Sequence, residues 1–159
     1  MERLHGVWLG VGAATYPTIE AARYRDELTF RPHAGDPITQ VEQKTWRLRP
    51  DGTESLLHWE FGFIRQIEGA THEWINAQNN GRVEVMKGTI STAGERLILR
   101  FESMAFANDP RMREAARELT VVGDVLRYTM TMATEQHPMS VIHLEAELHH
   151  PLYLENGDL

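Results

Sequence analysis

Turn-forming residues interrupt this chain about every 10–15 residues, and this spacing limits the fold more than any other feature. The segments between the turns are rich in Val, Ile, Thr, Trp, Phe and Tyr, as β-strands are. Short strands joined by tight turns indicate an antiparallel meander. The turn signals are Ala34-Gly35-Asp36-Pro37, Pro50-Asp51-Gly52, Glu68-Gly69, Asn79-Asn80-Gly81, Ala93-Gly94-Glu95 and Val122-Gly123-Asp124.

Several segments alternate apolar and polar residues with a period of two, which is typical of strands with one buried face. Leu126, Tyr128, Met130 and Met132 share one face, with Arg127 between them. Ten strands are predicted, at roughly 5–14, 22–32, 38–48, 55–66, 71–78, 82–90, 96–105, 113–121, 124–134 and 140–149.

Ten short strands must protect their edges, and closure into a barrel does this. The sequence therefore predicts an all-β fold: a ten-stranded antiparallel up-and-down barrel, similar to lipocalins and fatty-acid-binding proteins, that holds one small ligand. A short helical turn is expected at 17–23 and another near 108–116. We expect one domain over 1–159, with its core at about 4–150 and an irregular tail at 151–159.

The composition excludes several classes of site. The 159 residues contain no cysteine, so disulfides, zinc–thiolate sites and thiolate-ligated haem are excluded. The net charge is −7 and the arginines are scattered, which argues against nucleic-acid binding. No secretory signal and no membrane-length apolar run are visible, so a cytoplasmic location is the expectation.

The eight histidines form no spaced metal-binding motif. A neutral imidazole near the mouth of a barrel can serve as an axial ligand to haem iron, and His143 in the last strand is the candidate. Simple alternation places His143 outside, on the face of Glu145 and Glu147. In segment 55–66, alternation instead predicts that Leu57, Trp59, Phe61 and Phe63 are buried, with His58 on the opposite face.

The chain resembles the nitrobindin family across residues 4–149. The match begins with Gly6-x-Trp8-x-Gly10-x-Gly12 and the turn Tyr16-Pro17-Thr18-Ile19. It continues through Tyr24-Arg25-Asp26-Glu27-Leu28, Glu42-Gln43-Lys44-Thr45-Trp46, Leu57-His58-Trp59-Glu60-Phe61-Gly62, Ala77-Gln78-Asn79-Asn80-Gly81 and Val83-Glu84-Val85-Met86. It ends with Leu126-Arg127-Tyr128-Thr129-Met130-Thr131-Met132 and His143-Leu144-Glu145-Ala146-Glu147-Leu148.

The resemblance implies a ten-stranded barrel that binds ferric haem b at one open end. It implies that His143 is the iron ligand and faces the cavity, through a twist or bulge of the last strand. His58, Gln78 and Met132 match the family's haem pocket, and Arg111 or Arg113 would meet the propionates. His137 is an alternative ligand.

The implied activities are nitric oxide binding and the isomerisation of peroxynitrite to nitrate, with ferric iron as the Lewis acid. The partners would be these small molecules, without nucleic acid or membrane, and a homodimer is a further expectation. The alternative function is a haem-free carrier of a small apolar ligand, similar to a fatty-acid-binding protein.

Overall fold

Ten antiparallel strands form a closed barrel in the computed structural model, which describes residues 1–151. Among these residues, no helix has the length and apolar character needed to cross a membrane. The strands are β1 (Gly6–Tyr16), β2 (Ile19–Pro32), β3 (Ile38–Leu48), β4 (Glu54–Glu68), β5 (Thr71–Gln78), β6 (Val83–Ala93), β7 (Arg96–Ala107), β8 (Met112–Val122), β9 (Val125–Thr134) and β10 (Val141–His149).

Each strand pairs with its neighbours in the sequence, and β1 closes the barrel against β10. In this last pairing, Leu9 lies opposite His149 and Ala14 lies opposite Leu144. Every strand therefore has a partner on both sides, and no sheet edge is left open among them. The predicted all-β barrel is confirmed, with strand boundaries close to those expected.

The two predicted helical turns are wrong. The segment at 17–23 continues a hairpin, because Ile19 pairs with Tyr16 and Arg23 pairs with Ala13. The segment at 108–116 turns at Asn108, whose φ of 64° is incompatible with a right-handed helix, and then enters β8. In the described part of the chain, a short 3-10 helix spans Glu2–Leu4. The predicted irregular tail at Leu152–Leu159 lies outside the described residues.

One end of the barrel is plugged by the start of the chain. Leu4 is fully buried, and its carbonyl accepts a hydrogen bond from the indole Nε1 of Trp8 at 2.8 Å. Aromatic and aliphatic side chains including Phe30, Trp74 and Phe101 fill the interior beside this plug. Because this half of the barrel is packed, a ligand can enter only at the opposite end.

The glycines of β1 make room for neighbouring parts of the barrel wall. A Cβ atom at Gly12 would lie 2.4 Å from the ring of Tyr24 and 2.6 Å from the carbonyl oxygen of Glu145. Both distances are far below van der Waals contact. The space that a side chain at Gly12 would need is therefore occupied by the ring of Tyr24 and by the backbone of β10.

The prediction for the two faces of β4 is wrong. Trp59, Phe61 and Phe63 point outward and are 41–46% exposed, whereas Glu60 and Ile64 are buried. The physical reason is that the barrel interior at this level is polar, because Glu60 forms a buried ion pair there with Arg117. The alternating aromatic residues of this strand therefore lie on the outer surface of the barrel and not in its core.

Candidate functional site

A cavity of about 340 Å³ opens at the end of the barrel opposite the plug. Its mouth lies among the connections that follow β1, β5, β7 and β9. Its apolar wall includes Leu28, Leu57, Leu119, Met130, Met132 and Leu144. Its polar lining comprises Tyr16, Tyr24, Gln43, His58, Glu60, Gln78, Arg82, Asp109, Arg111, Arg117, Tyr128 and His143. Mostly apolar walls with a few polar groups are typical of a small-molecule site.

His143 lines the cavity because of an irregularity in β10. The pairing of β10 with β9 shifts between Ile142 and Leu144, so His143 is the extra residue of a β-bulge. The bulge lets His143 and the next residue, Leu144, both face the cavity. Simple alternation had placed His143 outside, whereas the family resemblance had placed it inside.

The imidazole of His143 is held in one tautomer. Its Nδ1 lies 3.0 Å from the backbone carbonyl oxygen of Thr15, which can only accept, so Nδ1 carries the hydrogen. The other ring nitrogen, Nε2, then keeps its lone pair. Burial lowers the pKa of His143 and favours the neutral ring. A neutral imidazole with a free Nε2 is the form that binds metals.

Tyr16 separates His143 from His137. Its ring makes edge contacts with both imidazoles, with centroids 5.6 Å apart in each case. Its hydroxyl donates to Oγ1 of Thr134 at 3.2 Å. His137 is not among the described residues that line the cavity. Its Nε2 is buried and has no hydrogen-bond partner among the described residues. The structure therefore presents His143, and not His137, to the cavity.

The other predicted pocket residues, His58, Gln78 and Met132, all line the cavity. The Nε2–H of His58 donates to Glu60 at 3.2 Å. Gln78 accepts a hydrogen bond from Nε of Arg82 at 2.9 Å. The structure thus brings these three residues together with His143.

The two predicted rim arginines behave differently. Arg111 lines the cavity mouth and donates to Asp109 through Nε at 2.8 Å. Arg113 is not a lining residue in the described chain, and its guanidinium instead binds Glu135 at 2.8 Å. The pairing of β8 with β9 shifts between Met112 and Glu114, which displaces Arg113 from the cavity register. The prediction for Arg113 is therefore corrected, and Arg82 is a rim cation that the sequence reasoning missed.

A buried ion-pair triad lies at the floor of the cavity. Arg117 donates to Glu60 and Glu84, each at 3.0 Å through Nη2. Burial alone raises the pKa of Glu60, but Arg117 outweighs it and holds that pKa well below its usual range. A buried arginine is stable only with such compensation.

A second buried network surrounds Asp26. This fully buried carboxylate accepts hydrogen bonds from the hydroxyl of Tyr128 at 2.6 Å and from Nε2 of Gln43 at 2.9 Å. The Tyr128 hydroxyl also lies 2.8 Å from that of Tyr24. Burial raises the pKa of Asp26 to about 6.

The sequence carried a signal for both networks. Arg117 falls on the same alternating face as Ala115 and Leu119, and Asp26 on the same face as Tyr24 and Leu28. A polar residue in the buried register of neighbouring strands indicates a polar layer inside the barrel. Within residues 1–151, no group of three His, Asp or Glu side chains is arranged to bind a metal ion.

Several known proteins are similar to this chain in amino-acid sequence. A family model described as "THAP4-like, heme-binding beta-barrel domain" matches residues 1–150. The chain is 34% identical over 145 residues to peroxynitrite isomerase Rv2717c of Arabidopsis thaliana, covering 91% of this chain and 83% of that protein. It is 35% identical over 148 residues to peroxynitrite isomerase 2 of Mycobacterium ulcerans (strain Agy99), covering 91% and 89%.

A solved structure is also similar. The crystal structure of Rv2717c from M. tuberculosis superposes with a TM-score of 0.83 and 29% sequence identity. The alignment covers 93% of this chain and 92% of that chain. The similarity therefore extends over the whole barrel.

Proposed function

Because the chain belongs to the family of THAP4-like, haem-binding β-barrel domains, we propose that it binds ferric haem b through His143 and isomerises peroxynitrite to nitrate. Its relatives named peroxynitrite isomerases cover most of its length. Nitric oxide is the second small ligand that we propose for the same site.

The observation that carries this proposal is the hydrogen bond from Nδ1 of His143 to Thr15. Histidines that bind metals through one ring nitrogen usually donate the other N–H to a carbonyl or carboxylate, which fixes the ring and its tautomer. His143 has this arrangement, with Nδ1 bonded to the carbonyl oxygen of Thr15 and Nε2 left for a metal. It also stands at the mouth of a cavity whose walls suit an apolar macrocycle.

The remaining lining residues fit the two chemical parts of haem. Met130, Met132 and Leu144 would provide apolar contact for the porphyrin. Arg82 and Arg111 lie at the rim, where guanidinium groups can pair with propionate carboxylates. Both arginines already contact Asp109. Propionates would therefore join an existing charged cluster at the mouth.

When bound, ferric haem would supply a Lewis acid for the rearrangement of peroxynitrite. The protein's own residues would position the cofactor and shape the space around it. His143 would hold the cofactor in place and keep its donor nitrogen unprotonated. The apolar wall would exclude water, and the polar groups of His58 and Gln78 would border the space available to a small anion.

The alternative function, a haem-free carrier similar to fatty-acid-binding proteins, receives less support from the cavity floor. A fatty-acid carboxylate buried there would need a cation as its partner. The floor guanidinium of Arg117 is committed to Glu60 and Glu84. A carboxylate placed beside this triad would add a third negative charge to one positive charge.

A hemin titration followed by absorbance at the Soret band tests the proposal. We expect saturation near one haem per chain for the wild type and for His137→Ala. The variant His143→Ala should lose or shift the band. Stopped-flow measurement of peroxynitrite decay should then show catalysis by the haem-loaded wild type above that of free hemin. A Soret band that is indifferent to His143→Ala would rule out this ligand, and haem binding without accelerated decay would rule out the activity.

A further inference from the structure

Four buried side chains on β5, β6 and β8 carry polar atoms that have no hydrogen-bond partner among the described residues. These atoms are Nε1 of Trp74, Nδ2 of Asn76, Oε1 of Glu84 and Nε of Arg117. None of the four residues is more than 8% exposed. Leaving a buried polar group unpaired is costly, so four such atoms in one place indicate a bound partner.

The four residues, which we call the inner polar cluster, adjoin one another. Trp74 and Asn76 are two positions apart on β5 and therefore share its inner face. Asn76 lies opposite Glu84 in the pairing of β5 with β6. Glu84 accepts a hydrogen bond from Nη2 of Arg117 at 3.0 Å, and the guanidinium of Arg117 lies 4.9 Å from the centre of the Trp74 ring. The unpartnered atoms therefore belong to one group of neighbouring side chains.

The inner polar cluster offers mainly hydrogen-bond donors. Nε1 of Trp74 and Nε of Arg117 each carry one hydrogen, and Nδ2 of Asn76 carries two. Oε1 of Glu84 is a carboxylate oxygen and can only accept when ionised. A ligand that satisfies this cluster must therefore accept about four hydrogen bonds and also donate at least one.

These requirements exclude several kinds of ligand. An anion would meet Glu60 and Glu84, whose negative charges already outnumber the positive charge of Arg117. A metal cation needs lone pairs, whereas most of the unpartnered atoms are N–H donors. An apolar ligand would leave all of these atoms unpaired. Water can both accept and donate, and about two water molecules would provide enough lone pairs for the N–H groups.

We propose that the inner polar cluster binds about two ordered water molecules inside the barrel. Trp74 and Arg117 also line the cavity of about 340 Å³, so the hydration site and the cavity share two side chains. A small molecule on the cavity floor would therefore lie beside bound water as well as beside protein groups. The hydration site does not include His143, so it does not depend on the binding of haem.

Transfer of nuclear magnetisation from water to the indole N–H groups of the isotope-labelled full chain tests this inference. Trp74 and Trp8 are both 2% exposed, but Nε1 of Trp8 already donates to the carbonyl of Leu4. We expect a cross-peak with the sign of long-lived water at the Trp74 indole and none at Trp8. The variant Trp74→Phe assigns the signal. No cross-peak at Trp74, or equal cross-peaks at the two indoles, would overturn the proposal.

Magnetic relaxation dispersion of the water oxygen nucleus provides a second measurement, because it counts long-lived internal water. Asn76→Leu replaces the amide by an apolar group of similar size, and we expect it to lose about two such waters. The matched control is Met86→Leu, which alters the core opposite Trp74 without removing a polar group and should keep the wild-type count.

Thermal unfolding shows whether each variant is folded before the water counts are compared. An unchanged count in folded Asn76→Leu, or an equal loss in both variants, would contradict the proposal. If Asn76→Leu does not fold, the comparison of Trp74 with Trp8 in the wild type decides the proposal by itself.

Discussion

Nδ1 of His143 donates a hydrogen bond to the backbone carbonyl of Thr15, with the two atoms 3.0 Å apart. Both residues are irregular points in adjacent strands. The register of β10 shifts around His143, and that of β1 shifts between Ala14 and Tyr16, around Thr15. Two neighbouring bulges thus place a donor and an acceptor that regular strands would have directed elsewhere.

Tyr16 should matter for haem retention through its ring and not through its hydroxyl. The ring packs against the edge of His143 and restricts its rotation. We expect Tyr16→Ala to weaken hemin binding about tenfold to a hundredfold, the usual range for groups that orient a metal ligand. Tyr16→Phe keeps the ring and should stay within about threefold of the wild type. Hemin titration measures both, and equal losses would show that the hydroxyl is responsible.

Arg117 should be the most costly arginine to replace. Arg117→Met leaves Glu60 and Glu84 buried without their counterion, and we expect a loss of about 3–5 kcal/mol in the free energy of unfolding. The matched control is Arg100→Met, which removes an exposed pair with Glu118 and should cost less than about 1 kcal/mol. Urea unfolding measures both values. Similar losses would mean that the buried carboxylates are hydrated or protonated.

Asp26 should make the barrel less stable as the pH rises from about 4 to about 6. Burial raises its pKa from 3.8 to about 6, so the folded state binds the proton more tightly than the unfolded state in this window. The contribution is present at low pH and lost above about 6, and it amounts to at most about 3 kcal/mol.

The variant Asp26→Asn cannot titrate, so this part of the pH dependence should disappear. Unfolding free energies of the wild type and the variant at pH 4, 5, 6 and 7 provide the comparison. Asp36→Asn, at an exposed position paired with His33, should keep the wild-type profile. Parallel curves for Asp26→Asn and the wild type would show that this carboxyl does not cause the effect.

Gly12 should not tolerate a side chain. In Gly12→Ala, the new methyl group would overlap the ring of Tyr24 and the carbonyl of Glu145. We expect a loss of about 1–3 kcal/mol, the usual range for overpacking. The neighbouring exposed change Ala13→Ser should alter stability by no more than about 0.5 kcal/mol. A neutral Gly12→Ala would indicate that β1 and β10 move apart easily.

The fold was predictable from the sequence because most of its turns are encoded locally. Asn79-Asn80-Gly81 and Val122-Gly123-Asp124, for example, both place a glycine at positive φ between strands. The interior was harder to predict, because the rule that apolar residues point inward fails at a polar layer. On β4 it assigned Phe61 to the core and missed Glu60, whose partner Arg117 lies 57 residues away.

The site was only partly predictable for a related reason. His58, Gln78 and Met132 line the cavity, where the family resemblance had placed them. The orientation of His143 depends on a bulge, which alternation cannot anticipate. Arg113 lies at another register shift and faces away. The roles of Thr15 and Tyr16 arise from contacts across more than 100 residues, which no local pattern reveals.

The pairing of β1 with β10 also has a consequence for the order of events during synthesis. Thr15 and His143 are 128 positions apart, and they meet only when the barrel closes. A growing chain on the ribosome makes the imidazole 128 residues after the carbonyl. A partly synthesised barrel therefore lacks the donor that we propose for iron, and haem capture by His143 must follow the final folding step. Contacts between residues this distant in sequence form slowly. The rate at which newly made protein binds its cofactor would therefore be limited by the rate of barrel closure.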